Sequence, residues 1–215
     1  MNAFSLVSVL LQYPEADLLA ALPEIRAALA AEPENLGARL APLLEYLQEN
    51  GLIELQTRYV DQFDRNRSLS LHLFEHVYGE SRERGEAMVS LMGTYHEHGF
   101  FINADELPDF LPLMLEFLGQ LPAAEASALL GEAVHVIAAI GERLAAAQSP
   151  YAVAFAALVA LSPVEPLPVG QPPVRDMDEA MERFGSGLDG MEPLLTPQAT
   201  TQTIRFHPRP ARQGA

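Results

Sequence analysis

From the first residues to about Ser162 the apolar positions recur at three- and four-residue intervals. No stretch keeps the period-two alternation of a half-buried strand between hairpin turns. In 81–98, Met88, Leu91, Met92 and Tyr95 stand at i, i+3, i+4 and i+7 and so share a face, with Ser81 placed to cap the start and Gly99 to follow the end. The next segment carries a broad apolar stripe of Leu107, Phe110, Leu111, Met114, Leu115 and Leu118, with Asp109 and Glu116 on the other side. Pro112 fits this helix if Asp109 is the N-cap, because a first-turn N–H has no intrahelical partner to lose. Breaks fall at Tyr13-Pro14, Glu32-Pro33, Asn50-Gly51, Asp64 to Ser70, Gly79, Gly99, Leu121-Pro122 and Ser149-Pro150. The pattern predicts an all-α, single bundle-like domain of eight or nine helices.

After Ser162 the periodicity fades, and nine of the 17 prolines lie between Pro163 and Pro210. The expected organisation is a helical domain over 1–162 and a Pro-rich, largely irregular tail over 163–215. One exception is a short amphipathic helix near 176–184, where Met177, Ala180, Met181 and Phe184 share a face. No internal repeat is present.

A chain of 215 residues, 49% of them hydrophobic, can bury one sizeable core. Its net charge of −16 repels a phosphate backbone and attracts basic peptides, so no nucleic-acid partner is expected. All 13 basic residues are Arg, and Cys is absent, which removes disulfides, thiolate zinc sites and Cys nucleophiles. Met1 to Leu11 lacks the basic start and cleavage site of a signal peptide. Tyr151 to Leu161 is apolar but far shorter than the ~20 residues needed to span a bilayer, so it reads as a buried helix. These features predict a cytoplasmic protein without direct membrane insertion.

The string His72-Leu73-Phe74-Glu75-His76 matches the H-x-x-E-H pattern of inverted zinc peptidases. On a helix, His72 and His76 lie one turn apart and Glu75 could activate a metal-bound water. A third ligand is missing, since Val153 and apolar neighbours occupy the distance where an acidic one belongs. His96 and His98 point about 100° apart on a helix and face no common site. His135 reads as a packing residue and His207 as part of the tail. No phosphate-binding glycine loop and no nucleophile elbow occurs. The pairs Glu54/Arg58, Asp61/Arg65, Glu80/Arg84 and Glu179/Arg183 read as exposed i, i+4 ion pairs.

From Tyr59 to Leu118 the chain carries YVDQFDRNRSLSLHLFEHVYGESRERGEAMVSL, then YHEHGF and ELPDFLPLMLEFL. These strings, with LLQYP near the start, resemble the NarJ family: nitrate reductase delta subunits, within the TorD-like redox enzyme maturation proteins. The resemblance implies a molybdenum-cofactor assembly chaperone rather than an enzyme. Such a chaperone binds the N-terminal segment of the apo catalytic (alpha) subunit of respiratory nitrate reductase and supports cofactor insertion before membrane attachment. It binds no cofactor permanently, its client receiving the molybdenum cofactor, and cofactor delivery proteins are further candidate partners. Tyr59, Phe63, Glu106 and Asp109 look like counterparts of residues in the wider family, although Phe110 stands where a His would follow the Asp.

A helix-in-groove interface needs an apolar trough with an oppositely charged rim. Leu71, Phe74, Tyr78, Tyr95, Leu107 and Leu111 are the expected anchors, and Asp64, Glu75, Glu106 and Asp109 the expected rim, with Tyr59, Phe63 and Arg84 completing the candidate client-binding set. No catalytic or metal-binding residue is assigned. The competing readings are a small zinc peptidase using His72, Glu75 and His76, and a helical scaffold without this client.

Overall fold

Every break read from the sequence falls at a helix end. The computed structural model describes residues 2–33, 35–79, 81–102 and 106–169. Among them are nine α-helices: α1 (Ala3–Leu10), α2 (Ala16–Ala31), α3 (Leu36–Glu49), α4 (Leu52–Tyr59), α5 (Leu73–Tyr78), α6 (Arg82–Glu97), α7 (Leu111–Leu118), α8 (Ala123–Ala146) and α9 (Ala152–Leu161). The described residues contain no strand, only an isolated antiparallel bridge between His72 and Phe110. α4 runs on into a π-helical turn, Val60–Asp64, closed by the Arg65 N–H on the Val60 carbonyl at 3.0 Å. A 3-10 turn, Arg67–Leu69, precedes α5.

The local chemistry of the ends is specific. Asn2 caps α1 by accepting the Ser5 N–H at 3.1 Å. α6 ends as the glycine predicts: Gly99 adopts φ +79°, its N–H meets the His96 carbonyl at 2.9 Å, and the Phe100 N–H meets the Tyr95 carbonyl at 2.9 Å. These two bonds form a Schellman motif. At the other end Ser81 occupies the N-cap but makes no side-chain cap bond.

The core is built from leucine-rich faces. α1, with Leu6 and Leu10 both without exposure, packs against α7, whose Leu111 and Leu115 are likewise fully buried. The Ser8 hydroxyl donates to the Pro112 carbonyl at 2.7 Å, and Asn2 Nδ2 donates to the Gly119 carbonyl at 2.6 Å, fixing this pair at both ends. α8 and α9 pack most extensively. Gly141 lets them close, since a Cβ there would sit 2.8 Å from Phe155 Cβ. α8 is long and apolar enough to cross a membrane by length and composition. Its Leu130, Val134, Ile137, Ile140 and Leu144 are fully buried within the protein, as in a core helix.

The compact unit extends beyond the last helix. Residues 163–169 are irregular but stay on the body: the Leu167 N–H donates to His135 Nδ1 at 2.9 Å, and Val164 lies over Gly131. His135 is therefore a packing residue with a stated partner. The short helix expected near 176–184, and the rest of the tail from 170 onward, lie outside the described residues.

α6 is the least buried of the long helices: only Tyr95 among its residues is buried. Met88 and Leu91 are half-buried and Met92 is exposed, so the predicted face is only partly covered. Gly93 lies inside this helix with nothing within 4 Å of a Cβ built on it. Gly93→Ala is expected to raise the free energy of unfolding by roughly 0.5–1 kcal/mol, measured by urea denaturation, because alanine relieves the helix-propensity cost without meeting a neighbour.

Candidate functional site

α5 has only six residues, too few to stand without outside partners for its amide ends. Those partners come from far along the chain. Residues 71–73 run antiparallel to 109–111, with the Leu73 N–H on the Asp109 carbonyl at 3.1 Å and the Leu111 N–H on the Leu71 carbonyl at 2.9 Å. The Asp109 side chain then takes the next free amide of α5, accepting the Phe74 N–H on Oδ2 at 3.0 Å.

This corrects the expected role of Asp109. Phe110, not Asp109, is the N-cap residue of α7, and Pro112 still sits in the first turn. The Asp109 carboxylate is drawn to α5 because two further donors converge there: His72 Nδ1 at 3.3 Å from Oδ1 and Arg84 Nη2 at 4.0 Å from Oδ2. Arg84 also reaches Glu75 at 3.2 Å, and its expected i, i+4 partner Glu80 lies outside the described residues. The exposed pairs Glu54–Arg58 and Asp61–Arg65 form as expected, at 2.6 and 2.7 Å.

Two histidines on this element are driven in opposite directions. The hydrogen bond to Asp109 raises the His72 pKa above the usual histidine value, helped by the nearby negative charges and opposed by partial burial. Burial lowers that of His76, assisted by the Arg143 cation. Arg143 Nη1 lies 3.0 Å from His76 Nδ1 and 3.0 Å from the Ser68 carbonyl, while His76 Nε2 lies 2.8 Å from the Ser70 carbonyl. A guanidinium only donates, so Nδ1 accepts and Nε2–H donates, which fixes one neutral tautomer.

That tautomer bears directly on the H-x-x-E-H string. Both ring nitrogens of His76 are occupied, one of them by a cation, and His72 precedes α5 rather than lying on it, with Nδ1 turned to Asp109. Among the described residues no group of three His, Cys, Asp or Glu is placed to hold a metal.

The predicted client-binding residues separate by burial. Tyr59, Phe63, Leu71, Tyr95 and Leu111 are core residues. Tyr59 donates its hydroxyl to the Leu11 carbonyl at 2.9 Å, and its ring and that of Phe63 pack on each other and on Tyr151. Tyr95 donates to the Pro108 carbonyl at 2.7 Å, tying α6 to the segment that carries Asp109. Asp109 itself is 0% exposed, so it is an internal brace and not part of a rim. Phe74, Glu75, Tyr78 and Arg84 are half-buried, and Asp64, Glu106 and Leu107 are exposed. Phe74 and Tyr78 meet edge to face at 5.7 Å.

The sequence reading missed Arg143 and the bracing role of His76. Local spacing offers position 76 as a metal ligand, and nothing in it marks an arginine 67 residues away as its partner.

The fold is that of an all-helical protein, with a short braced helix whose aromatic side chains Phe74 and Tyr78 are half-buried. The chain belongs to the nitrate reductase delta subunit family, whose profile matches residues 29–157. It is 43% identical over 160 residues to the nitrate reductase molybdenum cofactor assembly chaperone NarJ of Escherichia coli K12, covering 73% of this chain and 68% of that protein. To the probable chaperone of the same description, NarW, of that strain it is 37% identical over 166 residues, 75% of this chain and 68% of the relative. The probable NarJ of Bacillus subtilis strain 168 is 33% identical over 152 residues, 69% of this chain and 82% of the relative. The family is one of cofactor-assembly chaperones and not of catalytic enzymes.

Removing the charge at the centre of the brace has a definite cost. Asp109→Asn keeps an acceptor for Phe74 but leaves His72 without its carboxylate and Arg84 with Glu75 alone, and is expected to lose about 2–3 kcal/mol of stability in urea denaturation. A raised folded-state pKa at His72 means that its contribution is fully present below the unfolded value of about 6.5 and is lost as pH rises through the folded value. The thermal midpoint of the parent is therefore expected to fall relative to that of His72→Gln between about pH 6.5 and pH 8, and parallel curves would remove this role from His72.

Proposed function

We propose that this chain is an assembly chaperone that binds the N-terminal segment of the apo catalytic subunit of respiratory nitrate reductase. It acts in the cytoplasm and supports molybdenum cofactor insertion before the enzyme attaches to the membrane. The observation that carries the reading is family membership at 43% identity to a protein named for this task. The site geometry supports it further. Phe74, Tyr78 and Leu107 offer apolar contacts on the α5 side, and Asp64, Glu75 and Glu106 offer negative charge, on a chain whose net charge is −16. A leader segment with alternating apolar and basic side chains matches such a surface, the apolar contacts giving affinity and the charges steering the encounter. The cofactor is cargo of the client.

Calorimetric titration with a synthetic peptide of the catalytic subunit's first ~30 residues tests this, and saturable binding weakened by added salt is expected. Phe74→Ala should reduce affinity by roughly 30-fold, corresponding to an anchor worth about 2 kcal/mol, with the helical circular dichroism unchanged. Glu106→Gln should instead lower the association rate and flatten the salt dependence. Absence of binding at low and moderate salt would overturn the peptide-binding reading.

A further inference from the structure

α6 carries a face that the described residues leave largely open. At 100° per residue, Gly85, Val89, Met92, Gly93 and His96 fall within a sector of about 100°. Val89 is 72% exposed and Met92 39%, and a Cβ added to Gly85 or Gly93 meets nothing within 4 Å. Phe101, 74% exposed, stacks on His96 at 4.9 Å and continues the stripe past the end of the helix. A helix interior with one exposed and one half-buried glycine and a bare valine on one face works against its own stability and solubility, and no neighbour close to either glycine supplies a reason for it.

The order of these residues supplies one. Gly85, Val89 and Gly93 read the same in both directions about Val89, with Arg82 at the start of the stripe and Glu97 on its flank at the other end. A second copy of α6 crossing antiparallel on a two-fold axis at Val89 brings Gly85 of each chain against Gly93 of the other. It also brings Arg82 of each chain toward Glu97 of the other. Glycine lets two backbones approach closely, and the valines then meet on the axis. The helix dipoles also oppose in this arrangement, with the acidic C-terminal turn beside the partner's positive N-terminus. Such a surface is isologous: one patch satisfies itself twice.

We propose that the outer face of α6 is a self-association surface through which two copies of this chain form a transient antiparallel dimer. A foreign helix would need neither the symmetry about Val89 nor the opposite charges at the two ends. One helix face is small for a stable dimer, and two bodies of charge −16 repel, so the association is weak and strengthens as salt screens the bodies. This salt response is opposite in sign to that expected for a basic client peptide. The surface stands independently of the client reading.

The absence of cysteine from the sequence makes the test direct. Val89→Cys in the full chain places a lone thiol on the axis, and Ile53→Cys places one at a position of α4 that is equally exposed, at 75%. Under mild oxidation the Val89→Cys protein is expected to form disulfide-linked dimer about tenfold faster than Ile53→Cys, and faster still when salt rises from about 20 to about 300 mM. Adding Gly85→Leu and Gly93→Leu to Val89→Cys should return the rate to that of the Ile53 control, while circular dichroism confirms an intact helix. Equal rates for the two single-cysteine proteins, as expected if a foreign partner uses this face, would overturn the proposal. So would a Val89→Cys rate insensitive to the leucine pair.

Discussion

Asp109 is a carboxylate with no exposure, and such a group is tolerated only where donors surround it. Here the donors come from three elements: the Phe74 amide at the start of α5, the His72 ring before it, and the Arg84 guanidinium on α6. The dependence runs both ways. α5 is too short to satisfy its own amides, and residues 106–110 contribute no helix of their own, so each is ordered by the other. The bridge between 71–73 and 109–111 sets their register. Tyr95 closes the arrangement from behind by holding the Pro108 carbonyl.

A second brace acts on the opposite side of α5. His76 is neutral and buried between the Ser70 carbonyl and Arg143, which also holds the Ser68 carbonyl. Arg143 rises from α8, the longest helix, so the turn before α5 is tied to the largest part of the core. With Asp109 holding the start of α5 and His76 its inner face, the rings of Phe74 and Tyr78 are left half-open at the surface. The two braces account for an accessible aromatic pair on a helix that would not persist alone.

The helices were legible because their ends are written in local chemistry. Gly99 with its positive φ, the prolines near the ends of α1, α2, α7 and α8, and the three- and four-residue apolar spacing all act over a few residues. The binding residues were legible only in part, since periodicity tells which face is apolar and not what covers it. Leu71, Tyr95 and Leu111 lie on apolar faces and are covered, whereas Leu107 lies on the same predicted stripe and is exposed. The difference is tertiary: α7 starts at Leu111, later than the stripe suggests, leaving Leu107 in the preceding irregular segment. Asp109 reads in the sequence as an N-cap and a rim charge, whereas its partners stand some 25–37 positions back, and no local rule connects them.

The H-x-x-E-H string shows how the same letters support different chemistry once the backbone is placed. A zinc site requires two imidazoles one turn apart on a helix, each with a free nitrogen directed at one point. Here the helix begins after the first histidine, so the spacing in sequence does not become the spacing in space. The two rings instead face different charges, His72 a carboxylate and His76 a guanidinium, and their proton affinities move apart in consequence. What looks like a catalytic pair is a pair of structural hydrogen bonds of opposite polarity, one favouring the charged ring and one excluding it. That polarity follows from Asp109 and Arg143, and it links the order of α5 to the charge of two residues far from it in the sequence.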